Sequence, residues 1–499
     1  MIAAVPLPAR RLLIVLAAAS PFIGAVALAP RTGVSLVLAL EMLAGPVAVA
    51  TWLILTRPTA TLVALYIGLA PVDFLLSFSG GFTITRLIGM AAVGALLFGL
   101  LARGANRTLP GGVVAWLAAL TWMVVTLMWS GDPPKTIERL ISTGLPLLIV
   151  TLVALSKIER KDVEALFVAT VGVAAAISAY AVIAHPPAPS KFTGENAARL
   201  WLSNNGASID PNGLAFSLLT PLAVALAAAL GSGSRFWRIA GFVAAPFIAA
   251  AVLATESRGG LLGMAAVLIW MTLRSRNRLI AGGILAAGLV VSVVQGGAWS
   301  RLFSHSGTDA EGAGRLPIWE TGVLAFKNHW LIGNGYGAFT DAFNQAYLQV
   351  PHHFHIGWSR EAHNIVLASF VELGVFGGAL VLYAWWRQFR QLRTISPEDP
   401  DAWLRVALEA SILSVFITGF FLDILVLKPA WVAPILIAAV WAMRSASGAQ
   451  VRARTQAARV SVWTSATTDV AGPTNHGSTP TATPRLAEVI GASSRAPNI

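Results

Sequence analysis

Apolar runs of roughly 15 to 24 residues recur about fourteen times along the chain, separated by short polar breaks. A run of that length lets a helix rising ~1.5 Å per residue cross ~30 Å of hydrocarbon. Among the 499 residues 56% are hydrophobic and only 12% charged, more apolar surface than a soluble core could absorb. The expected fold is an all-α polytopic membrane protein with about 12–14 transmembrane helices. Helices close their backbone hydrogen bonds within each segment, as lipid demands.

The first run, Leu12 to Ala29, follows Arg10 and Arg11 and ends in Ala27-Leu28-Ala29, which mimics a signal-peptide cleavage site. Further spans follow at once and Pro30 would sit just past the cut, so an uncleaved first span is expected. The next spans read as Val34 to Leu55, Ala60 to Phe78, Leu87 to Leu101, Val113 to Trp129, Ile141 to Leu155 and Val163 to Ala184. Gly213 to Leu230, Ile239 to Ala254, Gly259 to Leu273 and Leu279 to Val294 come after them, then His363 to Trp386, Val406 to Leu422 and Leu425 to Met443.

The net charge of +12 would suit a nucleic-acid partner, but the basic residues sit in short clusters between apolar runs. Most of the 35 Lys and Arg fall in alternate loops, which sets topology and leaves no nucleic-acid role. Both termini are then expected in the cytoplasm, with Gln295 to Ala362 outside. The domain plan is a transmembrane helical domain over 1–444, an extracytoplasmic helical loop over 295–362 inserted in it, and a disordered cytoplasmic tail over 445–499. That tail turns to Ser, Thr, Ala and Pro with scattered Arg. Without cysteine there are no disulfides, thiolate metal sites or cysteine nucleophiles.

Three outer segments are more than connectors. His185 to Asn212 reads as an irregular loop or short re-entrant piece, and Asp210-Pro211-Asn212-Gly213 opens the next span as a cap would. Leu316 to His329 spaces Ile318, Trp319, Val323 and Phe326 along one amphipathic face. The glycine turn Gly333-Asn334-Gly335-Tyr336-Gly337 joins it to a second candidate helix, Ala338 to Leu348, and the pair could form a lid.

Chemistry-bearing residues gather at the outer ends of spans. At about 100° per residue His363, Leu367, Phe370 and Gly374 share one helix face, with Glu372 half a revolution away. A helix running to Arg387 is ~36 Å long, which puts His363 at the outer headgroup level. There an imidazole is wet enough to titrate near neutrality, or it simply caps the span. From Arg258 to Arg274 is only ~24 Å, so Arg258 lies slightly inside the apolar slab. An arginine there faces a polar cavity or a paired anion, or it snorkels or pairs with Glu256. Glycines 259, 260 and 263 beside it permit close helix packing or approach to a ligand. Arg315, just before a helix start, could hold an anion together with free N–H groups, or be a solvated loop residue.

Other patterns carry less. His352, His353 and His355 with Glu361 match no standard metal spacing, and the Gly333-x-Gly-x-Gly turn follows a helix rather than the strand a dinucleotide site needs. Glu41, Asp73, Glu409 and Asp423 lie in or near spans, where a secondary transporter or a flippase of lipid-linked oligosaccharide would need them.

Together, Thr255-Glu256-Ser257-Arg258-Gly259-Gly260, Arg315-Leu316-Pro317-Ile318-Trp319 through Trp330 to Phe339, and Ala362-His363-Asn364 through Glu372-Leu373-Gly374 resemble the O-antigen ligase and polysaccharide polymerase superfamily. Asp210-Pro211-Asn212-Gly213-Leu214-Ala215 is similar to that family's Asn-rich opening of a span, and the resemblance covers about Asp210 to Gly378. It implies a multi-pass protein of the bacterial inner membrane that works in polysaccharide biosynthesis without metal or cofactor. The reaction implied is inverting transfer of a glycan from undecaprenyl pyrophosphate to a sugar hydroxyl, on a glycan or lipid A core acceptor. His363 would be the base and Arg258 and Arg315 the pyrophosphate ligands, with Asn364, Asn212 and Ser257 in support.

Overall fold

The computed structural model describes residues 56–446, apart from 77–82, 107, 187, 190–197, 205–206, 276, 296–314 and 351–357. The described helices are α1 (Pro58–Gly68), α2 (Ile84–Arg103), α3 (Gly111–Val125), α4 (Pro133–Leu155), α5 (Arg160–Ala184), α6 (Pro211–Gly231) and α7 (Arg235–Ala254). They continue with α8 (Arg258–Arg274), α9 (Arg278–Gln295), α10 (Arg315–Asn328), α11 (Phe339–Tyr347), α12 (Ile365–Gln391) and α13 (Ala402–Gly419). A last helix, α14 (Lys428–Ala446), opens with a 3₁₀ turn.

Nine of the described helices are long and apolar enough to cross a membrane, or ten if α1 and the 3₁₀ turn Ala70–Leu76, bent by 77°, form one span. The all-α polytopic class holds. The expected spans Leu12 to Ala29 and Val34 to Leu55 lie outside the described residues, as do Glu41, His352, His353, His355 and the tail. Helix α8 has 17 residues, as short as its bounding arginines imply. Where an irregular loop was expected before α6, Leu202–Asn204 (β1) and Ala207–Ile209 (β2) pair antiparallel, Leu202 opposite Ile209.

Helix α6 is the hub. It carries no charge on any face, and 94% of its apolar window is buried against its neighbours, chiefly α7 and α13. Small residues allow that closeness: a Cβ on Gly260 of α8 would lie 2.5 Å from the Ala215 Cβ, and one on Gly263 2.5 Å from both Leu219 and Thr418. Of the two uses the sequence left open for these glycines, packing accounts for Gly260 and Gly263.

Helix α12 departs from the straight rod expected. Gly374 has φ 67° and ψ −172°, so the helix breaks ten residues after its cap Asn364. The break exposes carbonyls that cannot be left bare in a membrane protein. The Gly333–Gly337 turn supplies donors: Asn334 N–H bonds the Val371 carbonyl at 3.1 Å and Gly335 N–H the Glu372 carbonyl at 2.8 Å. Trp122 Nε1 donates to the Leu373 carbonyl at 2.9 Å, and Val375 N–H bonds the Trp330 carbonyl at 2.8 Å. The turn reads as a plug for a broken span, which leaves nothing of the dinucleotide pattern to explain.

Side chains are excluded on both sides of this contact. A Cβ on Gly374 would lie 2.3 Å from the Leu331 carbonyl, and one on Gly333 would lie 2.3 Å from the Glu372 carbonyl. Gly374→Ala should therefore cost at least the ~1–3 kcal/mol of a forced backbone conformation. A lower thermal midpoint in detergent and faster proteolysis between α10 and α11 are the expected readouts; unchanged values would mean that the break is not constrained.

Candidate functional site

Helices α6, α8, α10 and α12 begin at one end of the bundle, and their first residues meet. Asp210 caps α6, its Oδ1 accepting from the N–H groups of Asn212 and Gly213 at 2.9 and 3.2 Å. Ser257 caps α8 by accepting from Gly260 N–H at 3.1 Å, and its hydroxyl donates to Asn212 Oδ1 at 2.9 Å. Arg199, buried, donates to the same Asn212 oxygen at 3.1 Å and to the Thr255 carbonyl at 2.9 Å. Asn212 and Ser257 thus tie two helix starts together and fix where Arg258 leaves the backbone.

Arg315 opens α10 beside that junction. Its guanidinium lies 6.0 Å from the centre of the Phe421 ring, and a Cβ on Gly259 would touch Phe421 at 3.3 Å. Burial first, and the Arg258 charge second, push Arg315 below the usual guanidinium range. Two guanidiniums that repel each other in a half-buried place have the chemistry to hold a multiply charged anion.

His363 sits just before α12, outside the helix. Its φ is 45°, so the helical face expected to hold His363, Leu367, Phe370 and Gly374 does not include it. Asn364 is the cap: its Oδ1 accepts from Val366 and Leu367 N–H at 2.9 and 3.1 Å, so that oxygen is committed to α12. From α10, Trp319 Nε1 donates 3.0 Å to the Ala362 carbonyl, anchoring the residue before His363. Trp319 itself is half-buried. Glu256 at φ 49° stands two residues before Arg258 as His363 stands two before α12. A left-handed non-glycine costs ~1–3 kcal/mol and persists only where its surroundings enforce it.

Carboxylates line the other flank. Arg139 of α4 donates to Asp423 at 2.5 Å and Glu372 at 3.5 Å, and its other nitrogen lies 4.0 Å from Glu361. The charges of Arg315, Glu361, Asp423 and Asp210 all reach His363. Sequence reading placed Arg258, Arg315 and His363 here but missed Arg139 and Arg199. The signal for Arg139 was a cation close behind Lys135 and Glu138 at the start of an otherwise apolar span.

Residues 242–382, which hold Arg258, Arg315 and His363, match the family described as O-antigen ligase. Over 336 residues the chain is 26% identical to the exopolysaccharide production protein ExoQ of Rhizobium meliloti, covering 62% of this chain and 74% of that protein.

Burial, and after it the Arg315 charge, hold His363 below the ordinary imidazole value of 6.5, rather than near neutrality. Its contribution to stability is thus present above 6.5 and is lost as pH falls through the lowered value. Imidazole NMR of the full chain in nanodiscs should show a titration below 6.5 that moves upward in Arg315→Gln. An unshifted titration in that variant would separate the two residues.

Proposed function

For a multi-pass membrane chain whose residues 242–382 match the O-antigen ligase family, we propose a polysaccharide-building glycosyltransferase at the periplasmic face of the bacterial inner membrane. The donor is an undecaprenyl-pyrophosphate-linked glycan, and the acceptor a sugar hydroxyl on a growing glycan or lipid A core. The observation that carries this reading is Arg315, at the start of α10, standing within charge reach of both Arg258 at the start of α8 and a half-buried His363 just before α12.

The acceptor hydroxyl attacks the anomeric carbon opposite the pyrophosphate, forming the new glycosidic bond with inversion. His363, neutral at pH 7 because its pKa is depressed, takes the hydroxyl proton. The electron pair of the breaking C–O bond passes to the pyrophosphate, whose growing charge Arg258 and Arg315 stabilise. Pyrophosphate leaves readily, so no second carboxylic acid is needed as in glycosidases. Asn212, Ser257 and Asn364 support the site by holding helix starts in place.

A second reading, a secondary transporter or flippase, draws on the 77° bend between α1 and Ala70–Leu76, since broken spans build transport sites. Of the acids it would use, the three among the described residues are each held by a cation: Asp73 by Lys428 at 2.6 Å, Glu409 by Arg405 at 2.9 Å and Asp423 by Arg139 at 2.5 Å. Such pairs suit structural locks better than a proton or ion relay.

Purified full-length protein given lipid-pyrophosphate-linked glycan and acceptor should release undecaprenyl pyrophosphate in step with new glycan. His363→Ala should accumulate normally and lose ~10²- to 10⁴-fold of turnover. Arg258→Lys should lose nearly as much as Arg258→Ala, since a point charge cannot replace a bidentate fork. Chelator should change nothing. Near wild-type turnover in His363→Ala would remove the base assignment, and glycan flux without covalent change would favour transport.

A further inference from the structure

At the end of the bundle away from Arg258, the C-termini of α6 and α8 and the start of α13 surround a cavity of about 1230 Å³. Its lining divides by chemistry. Leu230 and Met271 are buried apolar floor, while Leu273, 58% exposed, stands at the mouth. Arg238, Arg274, Arg278 and Arg405 supply the charge.

The acids on the same wall are largely engaged. Glu409 accepts from Arg405 at 2.9 Å and from Trp270 Nε1 at 3.2 Å, and Asp399 accepts from Arg444 at 2.8 Å. Glu398 is exposed. Among the described residues no salt bridge engages Arg238, Arg274 or Arg278. Arg274 rests over the Trp270 ring at 5.1 Å, which holds its guanidinium beside the opening without neutralising it. Asn277 closes the α6 side by donating to the Leu230 carbonyl at 2.7 Å.

A soluble anion would satisfy the arginines and leave the apolar floor bare, whereas a zwitterionic lipid would fill the floor without net charge to offer. We propose that the cavity binds an anionic glycerophospholipid. Its headgroup phosphate sits among Arg238, Arg274 and Arg278, and its acyl chains leave past Leu273 and the 93% exposed Leu279. The site lies at the opposite end of α8 from Arg258 and stands or falls independently of glycan transfer.

Native mass spectrometry of the full chain in detergent, titrated with phosphatidylglycerol, phosphatidylethanolamine or inorganic phosphate, reads the proposal directly. One phosphatidylglycerol should be retained per chain in preference to phosphatidylethanolamine, and millimolar phosphate should not displace it. Each of Arg238→Gln, Arg274→Gln and Arg278→Gln should lower that preference by about fivefold, the effect of one basic residue at a lipid surface. In wild type the preference should weaken as ionic strength rises, which needs no variant to fold. Equal retention of both lipids, displacement by phosphate, or a preference indifferent to the three arginines and to salt would overturn it.

Discussion

A broken span must give its backbone polar groups partners, and in this chain that demand shapes the whole candidate site. Helix α12 stops being helical at Gly374, and the Trp330–Tyr336 stretch answers with its own N–H and C=O groups. That docking fixes Tyr336, buried and pushed well above the usual phenol value by desolvation, with its hydroxyl 2.7 Å from that of Thr143 on α4. It also places Gly337 against Arg139, where a Cβ would come within 2.8 Å of the Arg139 Cδ. Helices α10 and α11 are thus pinned to the bundle by the backbone contacts of the turn between them, and α10 can hold Arg315 and Trp319 near the start of α12.

Charge is sorted across the site. Arg258 and Arg315 lie on the α8 and α10 side; Glu361, Glu372 and Asp423 surround Arg139 on the other. A buried arginine with several carboxylates is costly to dismantle, because removing one partner leaves the rest uncompensated. Arg139 therefore holds those three acids together, and the charges of Arg315, Glu361, Asp423 and Asp210 all reach His363. An anion and a hydroxyl can be held side by side in such a field.

The span pattern was legible because apolar length is a one-dimensional property, and so was the cap of α6 at Asp210, whereas the caps of α8 and α12 turn out to be Ser257 and Asn364, the latter in place of His363. That Arg258, Arg315 and His363 stand at or beside helix starts was legible as well. What could not be read was anything set by a tertiary partner. The break at Gly374 depends on the glycine turn some forty residues earlier, and the left-handed His363 depends on Trp319 and the Asn364 cap. Arg139 was missed because its partners Glu372 and Asp423 are 233 and 284 residues away.

A structure of the full chain with undecaprenyl pyrophosphate, the product of the proposed transfer, tests the account most directly. The pyrophosphate should lie between the Arg258 and Arg315 guanidiniums, within hydrogen-bond reach of both, with His363 on the side from which an acceptor hydroxyl would approach. A pyrophosphate bound elsewhere, or one held with Arg258 turned to the headgroups, would contradict it.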